Sequence, residues 1–96
     1  LVRAVGPRLT AFGVAGVLPD PRLEVYRGSI RVGANDDWAQ ATSASDFTAA
    51  GAFLLDGDSK SAALRLTVTP GEVYTVHASG ISGASGEVLL EVYEIK

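Results

Sequence analysis

The chain has 96 residues, of which 47% are hydrophobic and 20% charged, and its formal net charge is −3. This length allows one domain with one compact core. The absence of Cys excludes a disulfide scaffold, a thiolate zinc site and a cysteine nucleophile. No run reaches the ~20 apolar residues that a membrane span needs, and the negative net charge disfavours a basic surface for nucleic acid. We therefore expect a single module over residues 1–96, with no membrane span and no nucleic-acid partner.

The first predicted element is a strand over residues 1–5 (LVRAV), which a Gly-Pro dipeptide ends. Because the chain has no Met and begins inside a strand pattern, we expect it to be a fragment or processed part of a longer protein. Gly13 and Gly16 disfavour a stable helix in the next segment. We predict one loose helical turn that packs Leu9 and Phe12, followed by a loop.

A hairpin and a short helix follow. Residues 22–27 alternate with period two, and a Gly-Ser turn leads to a second strand over residues 30–32. Residues 45–51 predict a short helix, with Ser45 as its N-cap and Gly51 as its C-cap.

The last third of the chain has the most regular pattern. Residues 62–69 and 72–79 alternate between apolar and polar positions, and a Pro-Gly turn separates them. A Gly/Ser-rich loop over residues 80–86 precedes a final strand over residues 87–95. That strand is apolar on both faces, so we expect both of its sides to be covered.

These segments amount to six or seven short strands with turn signals between them. The helical candidates are too short to form a layer of their own. The pattern therefore predicts an all-β fold, an antiparallel β-sandwich of jelly-roll or Greek-key type with one or two short helical turns.

Several short motifs, in this order and spacing, resemble a β-sandwich repeat of large secreted or surface-attached bacterial proteins. The motifs are residues 1–7 (LVRAVGP), 12–14 (FGV), 18–21 (LPDP), 35–38 (NDDW), 59–64 (SKSAAL), 70–75 (PGEVYT), 79–80 (SG) and 91–94 (EVYE). The PGEVYT turn and strand are also similar to the bacterial pre-peptidase C-terminal domain, a jelly-roll-like accessory module. The resemblance implies an extracellular or cell-surface location and no defined catalytic activity.

Members of this family often carry one or two further strands before the LVRAVGP run. A sandwich that lacks a strand exposes unpaired backbone, which favours strand addition by a partner. We therefore predict that the first or last strand contacts another copy of the chain or a neighbouring module of the parent protein. The predicted interface residues are Leu1, Val2, Arg3, Ala4, Val5, Leu89, Glu91, Tyr93 and Ile95.

Two acidic loops are candidates for a calcium site. Calcium takes six to eight oxygen ligands, often from Asp, Asn and loop carbonyls. The donors here are Asn35, Asp36, Asp37, Asp56 and Asp58. The alternative is that these residues only shape the turns, through side-chain bonds to nearby backbone N–H groups.

Three aromatic residues are candidates for ligand contact. Trp38 is the only Trp, and an exposed Trp stacks well on a sugar ring, with Tyr26 and Tyr93 as further candidates. The alternative for Trp38 is that it closes one end of the sandwich.

Nothing in the sequence indicates a catalytic centre. His77 is the only His, it falls on the outer face of its strand, and no nucleophile-elbow motif occurs. Most basic residues are Arg on strands, which predicts cross-strand ion pairs on exposed faces or contacts to a neighbouring subunit. The sequence thus predicts a non-catalytic structural or interaction module that self-assembles into arrays or fibres, with a carbohydrate-binding accessory module as the alternative.

Overall fold

The protein is described by a computed structural model that covers residues 1–95 and is built mainly of short strands. The strands are β1 (Val2–Val5), β2 (Pro21–Arg27), β3 (Ile30–Asn35), β4 (Ala62–Leu64), β5 (Tyr74–Gly80) and β6 (Leu89–Val92). One α-helix, α1 (Ala44–Ala50), and 3₁₀ segments at Pro7–Phe12, Trp38–Gln40 and Ile81–Gly83 complete the elements. The predicted all-β class is confirmed.

The strands form two antiparallel sheets of three strands each. The first sheet has the order β4-β1-β6 and the second has the order β3-β2-β5. Alternate residues of each sheet point into the space between them, as the period of two requires. The apolar cluster between the sheets consists of Val2, Ala4, Leu23, Val25, Ala62 and Leu64.

β1 is the innermost strand of the molecule. It has β4 on one edge and β6 on the other, and all four of its residues are buried. Its second face is covered by a layer of short helices and loops, so the first sheet lies between two apolar layers. The buried cluster of this outer layer consists of Leu1, Val5, Leu9, Phe47, Ala52, Leu55 and Ala63.

The β2–β3 hairpin forms as the sequence predicts and extends further, to Asn35. Gly28 occupies the turn with a φ of 59°, a left-handed value that Gly adopts at no steric cost. The strand register shifts between Val25 and Tyr26, which places a bulge in this pair. On β5, Thr75 and His77 are exposed and Val76 is half-buried, as their alternation predicts.

Two predicted strands are shorter than expected. The strand predicted over residues 62–69 ends at Leu64, and the one predicted over residues 87–95 is regular only over Leu89–Val92. Both pair with the short strand β1, where Leu64 and Val92 lie on either side of Val2. Alternation in a sequence reports which residues share a face, whereas the length of a ladder depends on the partner strand.

The helical predictions are correct in position and wrong in detail. The helix α1 begins one residue before the predicted start and has Ser43, not Ser45, as its N-cap, because the carboxylate of Asp46 accepts the backbone N–H of Ser43 at 2.9 Å. Gly51 is the C-cap, as predicted. Leu9 is buried, but Phe12 remains 59% exposed and only meets the edge of the Phe53 ring.

Candidate functional site

β6 is an edge strand of the first sheet, as β4 is, and β3 and β5 are the edge strands of the second. β6 pairs with β1 along one edge, and no strand within residues 1–95 pairs with the other. Its apolar side chains are also open to solvent, with Leu89 40%, Leu90 43% and Val92 71% exposed. The expectation that both faces of the last strand are covered is therefore wrong for these three residues. Unpaired backbone and exposed apolar side chains on one strand are the features that favour strand addition.

A buried ion pair fixes β6 against β1. Arg3 is fully buried, and its Nε donates to Oε1 of Glu91 at 2.9 Å while its Nη1 donates to the carbonyl of Phe53 at 2.7 Å. Nη2 lies 2.8 Å from the same Glu91 oxygen but outside hydrogen-bonding geometry, so that contact is purely ionic. The guanidinium carbon also lies 4.8 Å and 4.5 Å from the ring centres of Phe47 and Phe53, within cation–π range.

Tyr93 extends this pair. Its hydroxyl donates to the second carboxylate oxygen of Glu91, and its backbone exchanges hydrogen bonds with Leu1 at 2.7 and 2.9 Å. The hydrogen bond to the Glu91 carboxylate raises the pKa of the Tyr93 hydroxyl, since it stabilises the protonated form. Two Glu91 oxygens therefore hold Arg3 on one side and Tyr93 on the other.

The predicted interface divides into two parts. Its N-terminal residues, 1–5, are buried, and Val2 to Ala4 have strand partners on both edges. Glu91 and Tyr93 turn toward Arg3 and the covered face. Ile95 is half-buried against the cluster of the outer layer. Leu89 is the most exposed of the predicted interface residues. Leu90 and Val92 are also exposed, and the prediction did not include them.

Asp58, a predicted calcium ligand, is occupied within the fold. One of its carboxylate oxygens accepts the backbone N–H groups of Lys60 and Ser61, each at 2.9 Å. The other accepts the backbone N–H of Arg8 at 2.9 Å and the hydroxyl of Ser61, which in turn accepts the N–H of Gly6. Four donors fill the lone-pair sites of a carboxylate. Asp58 thus fastens its loop to the start of the Pro7–Phe12 segment.

The calcium candidates do not converge on one site. Asn35 donates to the carbonyl of Asp37 at 3.0 Å, which shapes the turn, and accepts the N–H of the distant residue Ala63 at 3.0 Å. Asn35 and Asp36 line a shallow depression of about 210 Å³ with Arg22, whereas Asp56 and Asp58 line a different one beside Arg8. Residues 1–95 contain no group of three or more His, Cys, Asp or Glu side chains arranged to hold a metal ion. Calcium binding stays a prediction.

The three aromatic candidates lie in different environments. Trp38 packs on Phe47 with ring centres 5.1 Å apart, and its indole N–H donates to the carbonyl of Asp58. Tyr93 packs against the same buried cluster. Tyr26 alone lies on the outer face of the second sheet, where its ring contacts that of His77 in a tilted arrangement, with 5.1 Å between ring centres. These residues do not form one aromatic surface.

The outer face of the second sheet carries the predicted exposed ion pairs. Glu24 lies 3.3 Å from Arg31 and 3.7 Å from Arg22, and it accepts the Tyr26 hydroxyl at 3.1 Å. The hydrogen bond from Arg31 holds the pKa of Glu24 below its usual value, with that from Tyr26 adding to the effect. Exposed pairs of this kind contribute little to stability.

The sequence contains a signal for the buried ion pair, but Arg3 was predicted to lie at an interface. Arg3 stands alone among apolar residues in the first strand, and a charge in such a position needs a buried partner if the strand is internal. Sequence alternation does not show that β1 is internal, because its partners are β4 and β6, which lie far along the chain.

Within residues 1–95, no helix has the length and apolar character needed to cross a membrane. Comparisons with models of protein families, with curated proteins and with solved structures gave no match.

Proposed function

We propose that this chain is a non-catalytic structural and interaction module that self-associates through the free edge of β6. The observation that carries the proposal is the combination of an unpaired strand edge with the exposed side chains of Leu89, Leu90 and Val92. Proteins that remain monomeric usually protect such an edge with charged residues, proline or a covering loop. The sequence resemblance to repeat modules supports a place in a secreted or surface-attached bacterial protein.

The charges around β6 suit pairing between copies. Glu91, the charged residue within the strand, is already neutralised by Arg3 and faces the covered side. The strand therefore offers Leu90 and Val92 on one face and Leu89 on the other, with no unpaired charge among them. A second β6 added edge to edge would cover these side chains and satisfy the free backbone groups.

Light scattering coupled to size-exclusion chromatography, over a wide range of protein concentration, tests the proposal. We expect the native chain to form concentration-dependent oligomers and Val92→Lys to shift them toward monomer, because a lysine on an edge strand opposes pairing. Val73→Lys is the matched control, since Val73 is 77% exposed and lies outside β6. A native chain that is monomeric at every concentration overturns the proposal, as does an equal effect of the two variants.

Carbohydrate binding is the second candidate function. The observation that favours it is the Tyr26–His77 pair, two aromatic rings in tilted contact on an open, polar sheet face. Isothermal titration calorimetry with a panel of polysaccharides, on the native chain and on Tyr26→Ala, tests this candidate. Polysaccharide binding that is lost in Tyr26→Ala supports carbohydrate binding. If the native chain gives no heat of binding with any polysaccharide, carbohydrate binding is rejected.

A further inference from the structure

The backbone partners of the C-terminal segment, residues 87–95, lie in one part of the chain. Glu87 exchanges hydrogen bonds with the backbone of Gly16 and Leu18 at 2.9 and 2.8 Å. β6 then pairs with β1 from Val5 to Val2, and Tyr93 pairs with Leu1. The segment is therefore a single layer laid on residues 1–18, and it makes no strand pairing with the second sheet.

The connection that leads into this segment is short and strained. Residues 82–86 are exposed, and Ser82 has a φ of 58°, in the left-handed region that non-glycine residues rarely adopt. Gly83 follows with a φ of 75°. A short hinge loop under strain favours exchange of the element that follows it, because an extended connection between two molecules relieves the strain.

Arg3 makes the pairing of residues 87–95 with β1 specific. If residues 87–95 left β1, the guanidinium would keep the carbonyl of Phe53 and lose the carboxylate of Glu91. A buried charge without its partner is costly, so the open form selects a strand that brings a carboxylate to this point. The C-terminal segment of another copy carries that carboxylate in the same register.

We propose that two copies of this chain exchange residues 87–95, so that β6 of one molecule pairs with β1 of the other. This inference rests on the proposed self-association and specifies its route. In each exchanged interface, the Arg3–Glu91 pair and the β1–β6 hydrogen bonds are the same as in the single chain. Only the connection over residues 81–86 therefore changes conformation. The free edges of β6 remain open in the exchanged dimer, which lets dimers add to one another.

Cysteine cross-linking tests the exchange, because the chain has no Cys of its own. Val2 and Val92 are cross-strand partners, and the separation of such partners fits a disulfide. One chain carries Val2→Cys and the other carries Val92→Cys. The two are mixed, incubated near the onset of unfolding, cooled and oxidised. Exchange predicts a disulfide between positions 2 and 92 of different chains.

The control mixture replaces Val92→Cys with Val73→Cys, at an exposed valine outside β6. We expect the 2–92 product to exceed the control product by about tenfold, since pairing on one strand raises the effective concentration of the two thiols. The double variant Val2→Cys/Val92→Cys in one chain shows that the pair can close. If either single variant fails to fold, Ala4→Cys with Leu90→Cys, the next register pair, replaces it.

The outcomes separate the two proposals. A 2–92 product above control supports exchange. If the native chain forms oligomers and Val92→Cys cross-links only to itself, association occurs edge to edge and the exchange is overturned. If the native chain stays monomeric and no 2–92 product forms, both proposals are overturned.

Discussion

The indole N–H of Trp38 donates a hydrogen bond to the backbone carbonyl of Asp58. The backbone N–H of Trp38 also donates to the carbonyl of Ser61 at 2.8 Å. Trp38 is thus tied at two points to the loop that Asp58 organises, and its ring packs on Phe47. Trp38 was predicted to contact a ligand and Asp58 to bind calcium, yet the two residues are hydrogen-bonded to each other.

Replacement of Trp38 measures this contact. Trp38→Phe retains an aromatic ring against Phe47 and removes the donor to Asp58, so we expect a loss of about 1–2 kcal/mol in the free energy of unfolding. For a domain of this size that corresponds to a fall in Tm of about 4–8 °C per kcal/mol. Urea denaturation followed by circular dichroism measures the change. Unaltered stability would show that the ring is not anchored as described.

The carboxylate of Asp58 is expected to stabilise its loop through the four hydrogen bonds that it accepts. Asp58→Asn replaces one acceptor oxygen by a donor and removes the charge, so the N–H of Arg8 or the hydroxyl of Ser61 loses its partner. We expect a cost of about 1.5–3 kcal/mol, the range for hydrogen bonds to a charged group. Asp56→Asn, on the same loop with an exposed side chain, serves as the control. Equal effects of the two substitutions would contradict this role.

The buried ion pair gives a third prediction. Arg3→Met leaves the Glu91 carboxylate facing an apolar side chain, and we expect a cost of about 3–5 kcal/mol. Arg3→Met combined with Glu91→Leu removes both charges, and we expect the double variant to be more stable than Arg3→Met alone. Chemical denaturation of both variants and the native chain decides the question. A double variant that is less stable than Arg3→Met would show that the charge left behind is not the source of the cost.

The N-cap of α1 predicts a pH dependence. The hydrogen bond from the backbone N–H of Ser43, helped by Arg65 at 2.9 Å, lowers the pKa of Asp46. A carboxyl whose folded pKa is depressed contributes stability above its unfolded pKa of about 4 and loses it as the pH falls through the folded value. We expect Asp46→Asn to lower the Tm by a few degrees at pH 7.

The same variant should match the native chain once the pH falls below the folded pKa of Asp46, where both side chains are neutral. Thermal melts at several pH values, recorded by circular dichroism, give this comparison. A difference in Tm that persists unchanged at low pH would show that the Asp46 charge is not responsible.

Local patterns in the sequence were sufficient for the hairpin, the class of the fold and the C-cap at Gly51. These features depend on neighbouring residues, since a Gly-Ser turn between two alternating runs brings the runs together by itself. The choice of Ser43 over Ser45 as N-cap was also available from the sequence, through the capping-box spacing, and the prediction missed it. Both are Ser, and the preference follows from the carboxylate of Asp46, which lies three residues after Ser43.

Pairings between distant segments were beyond the sequence pattern. Arg3 was expected at an interface and lies in the core, because β1 takes its partners from residues 62–64 and 89–92. Asp58 was expected at an open loop, and Ser61, which was not among the candidate site residues, joins it to Gly6. The exposure of Leu90 and Val92 likewise depends on which strands lie beside and above β6.

The central place of β1 also predicts an order of folding. We expect the second sheet to grow from the local hairpin of β2 and β3 and to add β5, all within residues 21–80. The first sheet cannot close until β6 reaches β1, and Val2 pairs with Val92. Because contacts between distant residues carry the largest loop-closure cost, we expect this closure to come last and to limit the rate. During synthesis, β1 would therefore remain without its partner β6, and Arg3 without the Glu91 carboxylate, until residues 89–92 are made.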